Sequence, residues 1–355
     1  MTTRLALLRE KMIEENFDWF IILQNPYVRY FSGYTGSNGL CVVSQDEQWF
    51  FTDYRYKEQS AQETDGYQIH IGPNDFLEAL STQKLFTAGQ RIGVDLESVL
   101  HKNAIKLQAL TKPGELCFVE DVLVVFTAVK DAGEIEILVQ AAAHTVQAFQ
   151  DTLPYIRAGV SERDIAAELS YRMRQLGCEK NAFDPIVASG PRSILCHGIA
   201  SDKIIESGEL VVLDFGGKYE GYNADITRTV MVGEPTPKQR EIYTAVQTAQ
   251  QLGRDKVTAG MACKDLDALV RDEISARGYG EYFGHGLGHG LGLRVHEEPR
   301  MSATSTQVLK LGNVVTIEPG IYLPGTGGVR IEDDIVIEEN SIRVLTDAPR
   351  EMIMV

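Results

Sequence analysis

Residues 211–229 read VVLDFGGKYEGYNADITRT, two apolar, β-branched runs on either side of a glycine-rich turn, each run carrying an aspartate. Alternation of this kind around Gly and Asn marks a β-hairpin. With the turn centred near Tyr219, Asp214 and Asp225 fall roughly opposite each other. Carboxylates a few ångströms apart in a weakly polar site repel strongly, so the pair needs a proton or a cation between them. Taken alone, the pair also has a plainer reading, in which one aspartate is a surface turn residue.

A second stretch repeats the logic. TIEPGIY at 316–322 is followed by the turn PGTGG at 324–328 and by VRIEDDIVI at 329–337. Folding about Gly325 brings Glu318 and Glu332 to facing positions, among residues such as Ile317, Ile321, Val329 and Ile331 that favour burial. A neighbouring Arg330 would account for one such hairpin. Two of them favour a shared metal centre, because carboxylates are seldom buried without partners.

The third constellation is FGHGLGHGLGLRVHEEP at 283–299, where His285, His289 and His296 make three of the chain's seven histidines. The interleaved glycines argue against a helix and let the backbone approach a ligand or a neighbouring strand closely. One histidine would supply a neutral nitrogen ligand and the others would hydrogen-bond substrate; a lone histidine here would read as a satisfied core residue. His197, in ASGPRSILCHG, reads equally well as structural or functional. Other motifs fail. The glycine run has His289 or Leu291 where G-x-G-x-x-G requires its last Gly, and TGSNG at 35–39 has Thr where G-x-S-x-G requires Gly. Cys196 and His197, adjacent in sequence, make a poor Cys–His dyad.

Composition bounds the remaining classes. A chain of 355 residues, 44% apolar and 24% charged, is an ordinary globular protein of two domains. Fifty acidic against 34 basic residues give a net charge of −16, which repels nucleic acid and anionic membrane. The five cysteines are scattered, without a C-x-x-C pair, and read as reduced thiols of a cytoplasmic protein. The N-terminus lacks the apolar core of a signal peptide, and no run is long enough to span a bilayer.

Residues 4–16 place Leu5, Leu8, Met12 and Ile13 at helical spacing, and DWFIILQ, GLCVVS, EQWFFTD, YQIHIG and RIGVDL read as short strands. An α/β N-terminal domain over 1–122 follows. The second domain, 123–355, opens with a capping box, Asp131 and Glu134, before a long helix. Helices mixed with antiparallel hairpins make it α+β. No internal repeat is legible.

The series ASGPRS…HG, LDFGGKYEGYNADITRT, GHGLGHGLGLRVHE, TIEPGIY and GGVRIEDD resembles the pita-bread metallopeptidases, in the Xaa-Pro branch that contains prolidase and aminopeptidase P. RYFSGYTGSNG and FFTDYRYKEQ resemble that branch's N-terminal domain, which methionine aminopeptidases lack. The resemblance implies a pita-bread catalytic domain holding two divalent ions, Mn²⁺ first, with Co²⁺ or Zn²⁺ as alternatives. It assigns Asp214 to one metal and His289 to the other, with Asp225 and Glu332 bridging, and Glu318 as second-metal ligand and general base. His296 and His197 would contact the scissile carbonyl or its tetrahedral intermediate, and His285 and Arg330 would position substrate. Four carboxylates and a bridging hydroxide leave two divalent ions nearly neutralised, and the same ions acidify the attacking water.

The implied substrates are short peptides with proline second, and the implied assembly is a homodimer. Dipeptidase and aminopeptidase share every residue named; YTGS and FTDYRY tilt the reading toward aminopeptidase P. Cys196 stands where many relatives have Pro, and Thr127 where Arg is common. Metal-free creatinase and non-catalytic binding modules on the same fold are the alternatives, and both have lost metal ligands, whereas all five are present here.

Overall fold

The computed structural model describes residues 2–73 and 75–355, which divide into two compact units between Phe126 and Thr127. The first is a mixed six-stranded sheet of β1 (Trp19–Ile22), β2 (Leu40–Ser44), β3 (Gln48–Asp53), β4 (Gln68–Gly72), β5 (Arg91–Asp95) and β6 (Glu115–Val119), in the order β4-β3-β2-β1-β5-β6. β6 is not among the strands that the sequence pattern singles out. Phe20, Ile21, Val42, Phe51 and Val94 are fully buried in the sheet. The helix Thr2–Glu14 buries Leu5, Leu8 and Met12, but Ile13 is 66% exposed. One residue beyond Met12 is a further ~100° around the helix, which carries Ile13 off the apolar stripe.

The second unit is α+β, as expected. Its first helix, Ala132–Thr152, starts at the anticipated capping box of Asp131 with Glu134, and Glu162–Gln175 starts at another, Ser161 with Asp164. Phe149, Ile165, Leu169 and Met173 of this helix pair pack with Val187, Leu213, Phe215 and Ile226 of a sheet. That sheet comprises β8 (Ile186–Ser189), β9 (Glu209–Phe215), β12 (Ile226–Val232) and β20 (Ile353–Met354), after the short β7 (Lys180–Asn181) and around β10 (Gly217–Tyr219) and β11 (Tyr222–Asn223).

A second helix pair, Pro237–Lys256 and Cys263–Ala276, covers a second set of strands. These are β13 (Gly288–Gly290), β14 (Glu297–Met301), β15 (Val314–Ile317), β16 (Gly320–Leu323), β17 (Gly327–Arg330), β18 (Asp333–Ile337) and β19 (Ile342–Val344). Ile242, Val246, Leu266 and Val270 meet Val315, Ile317, Val329 and Ile335 there. Each such buried side chain contributes about 1.5–3 kcal/mol of apolar transfer energy. Each half is therefore a helix pair laid over strands that carry one acidic hairpin.

The first hairpin is offset from the sequence expectation. Its turn is Glu220–Gly221, with φ of 44° and 85°, the two positive values of a type I′ turn. Asp214 consequently faces Thr227 in the β9–β12 ladder, and Asp225 lies two residues earlier, diagonal to Asp214 rather than opposite it. The second hairpin does turn about Gly325, and its registers, Ile317 with Asp333 and Gly320 with Arg330, leave Glu318 across from Glu332.

Candidate active site

Both acidic pairs sit near breaks in their ladders. The N–H of Glu318 donates to Leu287 O at 2.9 Å and that of Glu332 to Thr227 O at 3.1 Å, so the second hairpin's strands part and Glu332 comes to lie beside the first hairpin. The glycine run explains its own composition. A Cβ on Gly288 would stand 2.2 Å from Thr316 O, and one on Gly290 2.3 Å from Glu298 O. Only a glycine-flanked His289 fits between β14 and β15.

All nine residues singled out by sequence, namely Asp214, Asp225, His289, Glu318, Glu332, His197, His285, His296 and Arg330, line one cavity of about 620 Å³. Asp225, His289 and Glu332 each present a ligand atom within 4.8 Å of the others. His289 Nε2 is 3.4 Å from Glu318 Oε1 and 3.9 Å from Asp225 Oδ2. His289 Nδ1 lies 3.0 Å from Gly290 O, an acceptor that places the proton on Nδ1 and leaves the Nε2 lone pair facing the carboxylates. Arg330 donates to Asp214 Oδ2 and, through Nη1 at 2.7 Å, to the Tyr322 hydroxyl oxygen. Tyr322 in turn meets His285 Nε2 at 3.0 Å, while His285 Nδ1 faces Gly286 O. His296 and His197 are the exposed members, and the His296 ring meets His289 edge-on with centroids 4.4 Å apart.

Arg330 is the one buried cation among the described residues lining this cavity, against four acidic side chains. Burial, reinforced by the neighbouring carboxylates, raises the Asp225 and Glu332 carboxyls well above their usual range. Burial pushes Glu318 up to about 8 even with Arg330 opposing it. His289 and His285 are driven down to about 3 and about 4 by burial, so both rings are neutral. Asp214 Oδ1 and Asp225 Oδ1 are buried with no hydrogen-bond partner among the described residues. Such orphans are costly unless something else satisfies them.

Sequence reasoning missed the supporting polar groups. Thr227 Oγ1 donates to Glu332 Oε2 at 2.6 Å and accepts from Arg330 Nε at 3.0 Å. Thr316 Oγ1 accepts the His289 N–H at 3.1 Å and donates to Glu318 Oε1 at 3.2 Å. Asp334 Oδ2 accepts the Asp225 N–H at 2.8 Å. Thr227 and Thr316 each lie two residues from an acidic site residue, which strand alternation places on the same side and which was a usable signal.

The sequence profile of metallopeptidase family M24 matches residues 136–339, and that of the creatinase/prolidase N-terminal domain matches residues 4–124. The chain belongs to metallopeptidase family M24. This M24 chain is 40% identical to a Xaa-Pro dipeptidase of Pyrococcus furiosus over 99% of its own length and 100% of the relative's. A solved Xaa-Pro dipeptidase from Bacillus anthracis superposes with a TM-score of 0.95 at 39% identity, covering 100% and 99% of the two chains. A solved X-Pro aminopeptidase from Thermotoga maritima superposes at 0.89 with 40% identity, covering 96% and 98%. The architecture is thus that of a two-domain pita-bread peptidase. In an M24 metallopeptidase these orphaned oxygens fit a divalent cation: each keeps a free lone pair, and Asp225 groups with Glu332 and the neutral His289 imidazole, whose Nε2 lone pair faces Asp225 and Glu318. No helix among the described residues is long and apolar enough to cross a membrane.

Proposed function

We propose that this M24 peptidase hydrolyses Xaa-Pro bonds at peptide N-termini, with two divalent metal ions held by Asp214, Asp225, His289, Glu318 and Glu332. The observation that carries the proposal is the convergence of Asp225, His289 and Glu332 within 4.8 Å, flanked by Asp214 and Glu318, in a site with one buried cation. When bound, the ions would supply an acidified water and a Lewis acid for the scissile carbonyl.

The chain's own residues supply the rest. Asp214, Asp225, His289 and Glu332 would hold the ions, Asp225 and Glu332 serving both, and Glu318 would hold metal and act as the base for the attacking water. A carboxylate aimed into a buried site is a competent base once a cation offsets the burial that otherwise keeps it protonated. His197 and His296, exposed to the cavity, hydrogen-bond the carbonyl oxygen as it gains charge. His285, held by Tyr322 and so by Arg330, orients the substrate. An Xaa-Pro bond offers no N–H, so recognition must work through the shape of the ring.

The deciding experiment is chromatography of the products from an Xaa-Pro dipeptide and an Xaa-Pro-Pro tripeptide incubated with Mn²⁺-loaded protein. Cleavage of the dipeptide alone makes the chain a prolidase, cleavage of the tripeptide makes it an aminopeptidase P, and cleavage of neither overturns the proline assignment. Manganese as the metal and a homodimer as the assembly rest on the resemblance to the Xaa-Pro branch; metal analysis and sedimentation test them. A cytoplasmic location rests on the five free cysteines.

A further inference from the structure

The segment that carries His197 leaves β8 at Ser189, turns at Cys196–His197 and comes back at Ser201. One carboxylate holds both of its ends. Glu162, the fully buried first residue of the helix Glu162–Gln175, accepts through Oε1 from Ser189 N at 2.8 Å and Ser189 Oγ at 3.0 Å. Through Oε2 it accepts from Ser201 N at 3.1 Å and Ser201 Oγ at 2.7 Å. The same oxygen accepts from Arg192 Nε at 3.0 Å, and Arg192 Nη2 donates to Ile199 O at 2.7 Å, two residues past His197.

Five donors converge on this carboxylate, two from each end of the loop and one from within it. Closure of a short loop at its neck orders everything between. The far side is tied as well, since Ser193 Oγ accepts from Gly328 N at 2.7 Å and Arg330 Nη1 donates to Cys196 O at 3.2 Å. The exposed His197 side chain is thus presented by a backbone fixed from both directions. A buried carboxylate is an expensive way to close a loop, since desolvating it costs several kcal/mol before its hydrogen bonds are counted. The antiparallel bridge of Ile186 with Ile199 already joins the segment to the sheet. Glu162 itself is outside the cavity and touches none of the proposed metal ligands.

We propose that Glu162 is a positioning residue that acts through His197, fixing the loop so that the imidazole meets the scissile carbonyl in the transition state. The inference rests on the substrate-facing role given to His197 above. Because the effect passes through one side chain, the loss on removing Glu162 must disappear once His197 is gone.

The test is a double-mutant cycle of Glu162→Gln and His197→Ala on the full-length, Mn²⁺-loaded chain with an Xaa-Pro peptide, alongside metal content and amide hydrogen exchange over residues 190–200. Glu162→Gln is expected to lower kcat and kcat/KM together by about 10- to 100-fold at unchanged metal content, and by less than about twofold in the His197→Ala background. Exchange over the loop should quicken. Equal losses in both backgrounds, or unchanged exchange, overturn the proposal. Should Glu162→Gln fail to fold, Ser201→Ala removes one donor only, and it must show the same vanishing effect on His197→Ala. If the wild-type chain cleaves no Xaa-Pro peptide, the substrate reading has failed, and the exchange measurement alone decides whether Glu162 orders the loop.

Discussion

The backbone N–H of Asp225 donates to Oδ2 of Asp334 at 2.8 Å, joining the two acidic hairpins across 109 residues of sequence. Asp225 lies just outside β12, where the strand ladder stops, and this bond stands in for the missing ladder partner. Asp334 is itself fixed, facing Thr316 in the β15–β18 register and donating its own N–H to Thr346 Oγ1 at 2.8 Å. The position of one proposed bridging carboxylate is therefore set by a second carboxyl that does not itself line the cavity.

Asp334→Ala is expected to weaken metal binding by about 10- to 100-fold, the usual consequence of losing a group that orients a ligand. Asp334→Asn keeps a carbonyl oxygen for the Asp225 N–H and should stay within a few-fold of wild type. Calorimetric titration of chelator-treated protein with Mn²⁺ checks both; wild-type affinity in Asp334→Ala would show that Asp225 is held by other means.

Asp225→Asn tests the site from the inside. Without metal, burial and the neighbouring carboxylates disfavour the charged form of Asp225, and the neutral Asn is free of that penalty. The variant should melt no lower than the metal-free wild type, yet lose turnover by at least about a thousandfold and gain little stability from Mn²⁺. Thermal melting with and without metal, beside an activity assay, reads all three. An active Asp225→Asn would remove it from the bridging role.

Glu162 also fixes a pH dependence. Burial alone would raise its carboxyl, but hydrogen bonds from Ser201 and Ser189 outweigh burial and leave it below the ordinary range. A group depressed in the folded state stabilises the fold above its unfolded pKa of about 4.3, and that stability is lost as pH falls through the lower folded value. The stability difference between wild type and Glu162→Gln should be largest near pH 6 and shrink toward about pH 3. Melting temperatures across that range measure it, and a constant difference would mean that Glu162 is not ionised in the fold.

Much of this site was legible because strand alternation, turn glycines and residue chemistry are local signals. Gly325 centres the second hairpin as the sequence suggests. The first misleads, because Gly216 and Gly217 draw the turn toward Tyr219, whereas the chain reverses at Glu220–Gly221 with a non-glycine residue at positive φ. Asp225 with Asp334 and Glu162 with Ser201 were invisible for another reason. They join residues 109 and 39 positions apart, and nothing in the local pattern of either partner specifies the other. Ile13 shows the same limit in miniature, since helical spacing identifies a stripe but leaves its edge to tertiary packing.

Lys130 and Glu297 form a buried ion pair, 3.0 Å apart with both side chains 1% exposed. Glu297 Oε1 also accepts the Arg294 N–H at 2.9 Å, so the pair anchors the turn that delivers His296, its immediate neighbour in sequence. Gly292 leaves room for it, since a Cβ there would lie 2.7 Å from Glu297 Oε2 and 2.9 Å from Lys130 Cε. Removing one partner strands the other's charge in a dry interior, so Lys130→Met should cost about 3–5 kcal/mol. Lys130→Met with Glu297→Leu removes both charges and should recover a substantial part of that loss, though the Arg294 N–H then loses its acceptor. Denaturant unfolding of the metal-loaded chain measures the cycle. A cost below about 1 kcal/mol for Lys130→Met would place the pair in the solvated class, and the anchoring of His296 would then have to come from the strand ladder of β13 and β14 instead.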